Sequence, residues 1–231
     1  MHISIIIPVL DEEATIPGLL AHLRQDRNVE ILVVDGGSRD RSRELVRAHG
    51  VRLLRSPPGR GRQQNLGAAA ASGDVLLFLH SDTRLPPGWQ DHVGRTLAGP
   101  DVAAGAFRFA LDGRGPAFRL IEQGANLRAR LLQCPWGDQA LFLEREMFRR
   151  VGGFPDQPLL EELVLLRRLK RHGRITIAGA AAVTSARRWQ QRGIIRTTIL
   201  NQVILAGFLC GVAPGRLATL YHRSRDREKR G

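Results

Sequence analysis

The residues able to do chemistry sit where apolar runs end. Residues 75–79 are five apolar side chains in succession, and they stop abruptly at His80-Ser81-Asp82. A short continuous apolar run reads as a strand buried on both faces. In open parallel α/β sheets, ligands bind in the crevice beyond the carboxyl ends of the strands. A carboxylate and an imidazole on that lip suit a hard cation and the phosphates it bridges. Asp82 could instead cap the turn before Pro86-Pro87. A second polar strand end is Asp35-Gly36-Gly37-Ser38, after the run over 29–34. Its glycines permit a tight turn and close approach of a ligand to the backbone.

Arg55, Arg60 and Arg62 gather ahead of, or in the first turn of, a helix expected over 63–71. A helix N-terminus disfavours cations by about 0.3–1 kcal/mol each, unless a bound anion is shared with them. Solvated loop arginines are the alternative. Glu161-Glu162 opens another expected helix, over 160–171, that closes on basic residues and Gly173. Acids first and bases last is how any stable helix is charged, so that pair needs no function to explain it. Asp138, in Trp-Gly-Asp-Gln, is either a turn aspartate or a site residue.

The elements that must position these groups follow from the order of the runs. Strands are expected over 3–9, 29–34, 51–55 and 75–79, and helices over 15–25, 63–71 and 89–97, with one after Ser38 as its N-cap. Strand and helix in alternation means βαβ units and a mostly parallel sheet. Right-handed crossovers bring the four strand ends to one rim, so Asp35, the arginine loop and His80-Ser81-Asp82 converge there. Beyond residue 100 the pattern changes, with strands expected over 102–111 and 140–143 and a helix over 119–132. Residues 197–215 carry no charge, but polar side chains cut their apolar core to 203–213, too short for a span. A buried or interfacial helix is expected there, and arginines flanking an interfacial helix would suit anionic lipid.

With 231 residues, the chain is long enough for a well-filled α/β core. Its formal net charge of +13 comes from arginine, since lysine occurs only at 170 and 229. Such a balance favours phosphorylated ligands, anionic membrane or nucleic acid. Only 5% of the residues are aromatic, and the chain offers no interleaved aromatic–basic surface, which counts against stacking on nucleic-acid bases. Cys134 and Cys210 lack metal-ligand spacing and read as reduced thiols. The chain enters a strand directly after Met1-His2, with no secretory pattern. The expected location is therefore cytoplasmic, with peripheral contact at the inner face of the membrane.

Taken in series, these motifs resemble the family-2 glycosyltransferases over about residues 3–190. Residues 3–13 (Ile-Ser-Ile-Ile-Ile-Pro-Val-Leu-Asp-Glu-Glu) look like the family's first strand and its acidic continuation. Residues 33–40 look like its Asp-Asp-Gly-Ser turn, with Gly36 where the second Asp usually stands. Residues 67–82 look like the segment ending in Asp-x-Asp, here His-Ser-Asp. Glu161-Glu162 is similar to its Glu-Asp pair, and residues 185–189 to its Arg-Trp motif. The resemblance implies a single A-type α/β domain, with a Rossmann-like, mostly parallel sheet flanked by helices and a C-terminal helical segment. Its expected division is a domain over 1–190, split into a nucleotide-binding half (1–100) and an acceptor half (101–190). An apolar helix and basic tail over 191–231 would pack on the domain or on a membrane surface.

The resemblance also implies roles. Asp35 would accept hydrogen bonds from the nucleotide base, with Pro8, Leu10 and Glu12 walling base and ribose. Arg62 would contact the diphosphate, alongside His80 and Ser81. Asp82 would ligate Mn²⁺ or Mg²⁺. Glu162 would be the general base of an inverting transfer from a nucleotide sugar, by preference a UDP-sugar, to a lipid-linked or small-molecule acceptor. Glu161 and Asp138 are the other candidates for that base, and Arg188 and Trp189 would close over phosphate or acceptor. A nucleotidyltransferase of related fold would want a glycine-rich loop where this chain has Leu10-Asp11-Glu12-Glu13. The other alternative is a basic protein that binds nucleic acid or a membrane surface.

Overall fold

The computed structural model describes residues 1–24 and 28–226, with the backbone alone for Arg188, Arg192 and residues 222–226. Eight strands form its sheet: β1 (Ile3–Val9), β2 (Val29–Asp35), β3 (Arg52–Arg55), β4 (Val75–Phe78), β5 (Thr83–Arg84), β6 (Val102–Leu111), β7 (Phe142–Glu144) and β8 (Arg174–Thr184). Their spatial order is β3-β2-β1-β4-β7-β6-β8-β5. The first four pair in parallel, in a register that aligns Val9 with Asp35 and Asp35 with Arg55. The expected common rim is therefore present. Beyond β4 the sheet is mixed, since β7 runs antiparallel to both neighbours while β6 and β8 are parallel.

The helices are α1 (Ile16–Leu23), α2 (Ser42–Ala48), α3 (Arg60–Ala70), α4 (Trp89–Leu97), α5 (Pro116–Leu131), α6 (Arg145–Arg150), α7 (Glu161–Leu169), α8 (Arg187–Arg192), α9 (Ile194–Leu209) and α10 (Pro214–Asp226). They cover both faces of the sheet. One core forms around Ile5, Ile7, Leu20 and Phe142, and the other around Ile6, Leu76, Phe148 and Leu166. Stretches rich in Ile and Val explain β1 and β2, which are buried on both faces along β1 and along the second half of β2.

Two expectations are corrected. The third helix starts at Arg60 rather than near residue 63, because polar residues and glycines form its buried face: Gly61, Gln63, Gln64 and Gly67. At Gly67 a Cβ would lie 2.4 Å from Ile6 Cγ2, so the helix backbone packs directly on β1. Ser38 does not cap α2, which starts at Ser42; its hydroxyl instead accepts from the Asp11 N–H at 3.0 Å. Trp189, expected at the phosphate or acceptor, is packed into the protein. It is 6% exposed and sits in a third apolar cluster with Phe109, Leu111 and Phe118. The Arg188 side chain and the basic tail beyond 226 lie outside the described residues.

Candidate active site

Four segments meet at the carboxyl rim of the parallel strands. The first is the paired ends of β1 and β2. Leu10 is exposed, Pro8 and Glu12 are half-buried, and the acids that follow are committed to the neighbouring loop. Glu12 and Glu13 N–H groups donate to Ser42 Oγ (2.8 Å) and Asp40 Oδ2 (3.0 Å), while Arg39 N–H donates to Asp11 Oδ1 at 2.7 Å. The acidic run is thus a clamp between two loops. Asp35, at the end of β2, is 2% exposed, and its two oxygens accept from the Gly37 and Ser38 N–H groups, each at 3.1 Å. Each carboxylate oxygen has a second lone pair, so a ligand N–H can still be accepted. Gly37 adopts φ 100°, which suits glycine.

Gln63, which the sequence did not single out, explains Gly36. Its Nε2 donates to Val9 O (2.9 Å) and Val34 O (2.8 Å), tying the ends of β1 and β2 together. A Cβ at Gly36 would lie 2.9 Å from this amide, so a larger residue there would have to displace the Gln63 tie.

The N-termini of α3 and α7 bring the second and third segments together. Asn65 bonds both the N–H and the O of Phe154, at 3.0 and 2.9 Å, fixing the loop that leads into α7. Arg60 then lies 3.9 Å from Glu161 and 3.6 Å from Glu162. Arg62, two residues on, faces away around the helix and forks onto Asp156 at 2.6 and 2.7 Å. The arginine brought to the carboxylates is Arg60, not Arg62. Burial opposes Arg60's charge, but Glu161, Glu162, Tyr221 and Asp82 together hold its pKa above the ordinary value.

Glu161 is 3% exposed, and burial first, then the charge of Glu162, push its carboxyl up to about 7, against the pull of Arg60. Glu162 stands less deeply, and its Oε1 is buried without a hydrogen-bond partner.

The fourth segment is the turn after β4. Ser81 is buried, and His80 and Asp82 are half-buried. Asp82 O accepts from Ser185 N–H at 3.0 Å, and Thr83 Oγ1 bonds Thr184 Oγ1 at 2.8 Å. Thr184 in turn donates to Asp138 O at 3.2 Å. These bonds join the turn to the end of β8 and to a single 3₁₀ turn, Gly137–Gln139. There a Cβ at Gly137 would lie 2.5 Å from Glu162 Oε1 and 2.6 Å from His80 Nε2. Glycine alone lets this imidazole and this carboxylate close on the same point. His80 and Glu162, 82 positions apart in sequence, are thereby brought face to face. Neither Gln63 nor Gly137 carried a sequence signal, since each acts only through the tertiary packing; Arg60 needed the true start of α3.

The model of glycosyl transferase family 2 matches residues 4–152. The undecaprenyl-phosphate 4-deoxy-4-formamido-L-arabinose transferase of Pseudomonas aeruginosa (strain LESB58) is 37% identical over 98 residues, 37% of this chain and 29% of that protein. The chain thus spans under a third of the length of this curated relative. Glucosyl-3-phosphoglycerate synthase from Mycobacterium tuberculosis, solved with Mn²⁺, UDP-glucose and phosphoglyceric acid, is similar at TM-score 0.58 and 26% identity, over 79% of this chain and 71% of that one. S. aureus TarS 1–349, in complex with UDP-GlcNAc, shares the fold at TM-score 0.64 and 18% identity, over 80% of this chain and 58% of its own. The fold is the A-type nucleotide-sugar one that the motifs implied, and the matched residues run from within β1 past β7, well over half of the chain. On that match the chain belongs to glycosyl transferase family 2.

Proposed function

We propose that this chain transfers a sugar from a UDP-sugar to an acceptor hydroxyl, lipid-linked or on a small molecule, with inversion at the anomeric carbon. The observation that carries this reading is the meeting of Glu162 Oε1 and His80 Nε2 at Gly137, beside Arg60 and the turn that ends in Asp82. It joins a carboxylate oxygen that lacks a hydrogen-bond partner to the strand end where a diphosphate would lie. The solved glucosyl-3-phosphoglycerate synthase, whose complex holds Mn²⁺ and UDP-glucose, supports the same donor class and metal. Family membership favours it over nucleotidyl transfer or nucleic-acid binding.

In this reading Leu10, Pro8 and Glu12 wall the nucleoside and Asp35 accepts from its base. Arg60 takes the diphosphate contact that the sequence assigned to Arg62, with His80 and Ser81 beside it. Among the described residues no group of three His, Cys, Asp or Glu could hold a metal by itself. Asp82 therefore fits Mn²⁺ or Mg²⁺ shared with diphosphate oxygens, as such cations are commonly held by one or two carboxylates plus substrate phosphates. When bound, that cation offsets the charge developing on the departing nucleotide. Glu162 accepts the acceptor's hydroxyl proton, while Glu161 is too buried to reach it. Asp138 stands on the acceptor side.

General-base assistance contributes roughly 10²–10⁴-fold. Glu162→Gln is expected to lose about that much turnover while UDP-sugar binding, followed by calorimetry, stays within a few-fold. Equal loss of donor affinity and turnover would place Glu162 in donor binding. A screen of UDP- and GDP-sugars in which none binds or is hydrolysed would overturn the transferase reading altogether.

A further inference from the structure

Arg128, near the end of α5, has no role in the site described so far. Its guanidinium carbon stands 4.0 Å from the centroid of the Trp136 ring, and its Nε donates to Cys134 O at 3.2 Å. Stack and bond fix the plane of the fork. Among the described residues no carboxylate forms an ion pair with it. Burial pulls its pKa below the ordinary value, and the charges of Asp138 and Cys134 offset this only in part. Lys170 braces the same segment, its Nζ donating to Leu132 O at 2.6 Å. Trp136 Nε1 is buried with no hydrogen-bond partner. The next residue, Gly137, is the one that abuts Glu162 Oε1.

A half-buried, pre-oriented guanidinium with unused terminal nitrogens matches a carboxylate or phosphate in bidentate fashion. We propose that Arg128, with Trp136 and Lys170, forms an anion subsite for the acceptor, holding its phosphate or carboxylate next to Glu162. The assignment rests on the transferase reading above and deepens it: the acceptor is an anion. The mouth of the subsite is apolar. Leu131 and Leu132, three and four positions beyond Arg128 at the end of α5, are 72% and 62% exposed. A lipid headgroup and a free phosphorylated molecule present the same chemistry to it.

The test titrates the UDP-saturated protein with inorganic phosphate by calorimetry, so that the donor edge is already filled. Saturable phosphate binding is expected, about tenfold or more weaker in Arg128→Gln and partly restored in Arg128→Lys, with UDP affinity unchanged. No saturable binding, or equal affinity in Arg128→Gln, would overturn the subsite. If UDP itself does not bind, the donor reading fails separately, and the Arg128 dependence is still read without UDP. Should Arg128→Gln not fold, Trp136→Phe is expected to weaken phosphate several-fold, and an unchanged affinity would overturn the subsite. Co-sedimentation with phosphatidylcholine vesicles, with and without phosphatidylglycerol, then identifies the source. Binding that needs phosphatidylglycerol and is lost in Arg128→Gln and Leu131→Gln assigns a lipid headgroup; phosphate binding without vesicle binding assigns a free molecule. Both uphold the subsite.

Discussion

Two adjacent glutamates at the start of α7 have unequal surroundings, and the inequality is measurable. Glu161 is buried, with its carboxyl pushed up to about 7 by burial and by Glu162. In the unfolded chain it titrates near 4.5. Between those values the folded protein holds a proton that the unfolded chain has lost, so stability falls as pH rises through the window. Glu161→Gln is neutral throughout. It is expected to flatten that slope and to raise stability near pH 8 by on the order of 3 kcal/mol, at about 1.4 kcal/mol per pKa unit. Thermal midpoints near pH 5 and pH 8 check this, and an unchanged slope would locate the titration elsewhere. Gly137 makes the complementary case. A methyl there would meet Glu162 Oε1 and His80 Nε2 at once. Gly137→Ala is expected to lower turnover tenfold or more while UDP binding is kept, and kinetics with a UDP titration separate the two.

Among the elements, α3 decides how the site is assembled. A Cβ at Gly61 would stand 2.9 Å from Pro155 O, a backbone atom with little freedom to move. Gly61→Ala should push α3 away from the loop before α7, carrying Arg60 off Glu161 and Glu162, at about 1–3 kcal/mol of stability. Gly18, exposed on α1 with no neighbour within 4 Å, is the control, and Gly18→Ala should gain about 0.5 kcal/mol. Denaturant unfolding of both variants tests the contrast. The same helix shows where sequence reading stops. β1, β2 and β4 are legible because their short runs are apolar but for Ser4 and Glu30, and their polar ends mark the rim. The start of α3 is not, because it packs through glycine and glutamine rather than an apolar stripe. β8 also escapes, because the small residues over 178–182 separate its β-branched ends, Ile175-Thr176-Ile177 and Val183-Thr184, and break any continuous pattern. Trp189 is hard to read for a related reason: an aromatic beside arginines can serve a ligand or a core, and here it packs against Phe109.

For the whole molecule, the site straddles the seam between the parallel strands β3-β2-β1-β4 and the mixed remainder of the sheet. Asp82 comes from the turn after β4, Glu162 from a helix beyond β7, and no described trio of ligands could hold a cation alone. Metal and nucleotide should therefore bind as one unit. A ligand at about 100 times its Kd adds about 2.7 kcal/mol to stability. In a domain of this size each kcal/mol raises Tm by about 2–4 °C. Mn²⁺ alone and UDP alone are each expected to move the midpoint little, while together they raise it by about 5–10 °C. EDTA should return it to the UDP value. Asp82→Ala should remove the synergy and leave the small UDP shift, because the substitution leaves the proposed nucleoside contacts at Leu10 and Asp35 in place. A full shift with Mn²⁺ alone would mean a preformed metal cage, and a full shift with UDP and EDTA would mean that Arg60 neutralises the diphosphate by itself. The second outcome would give a chemical reason for the single carboxylate in His80-Ser81-Asp82.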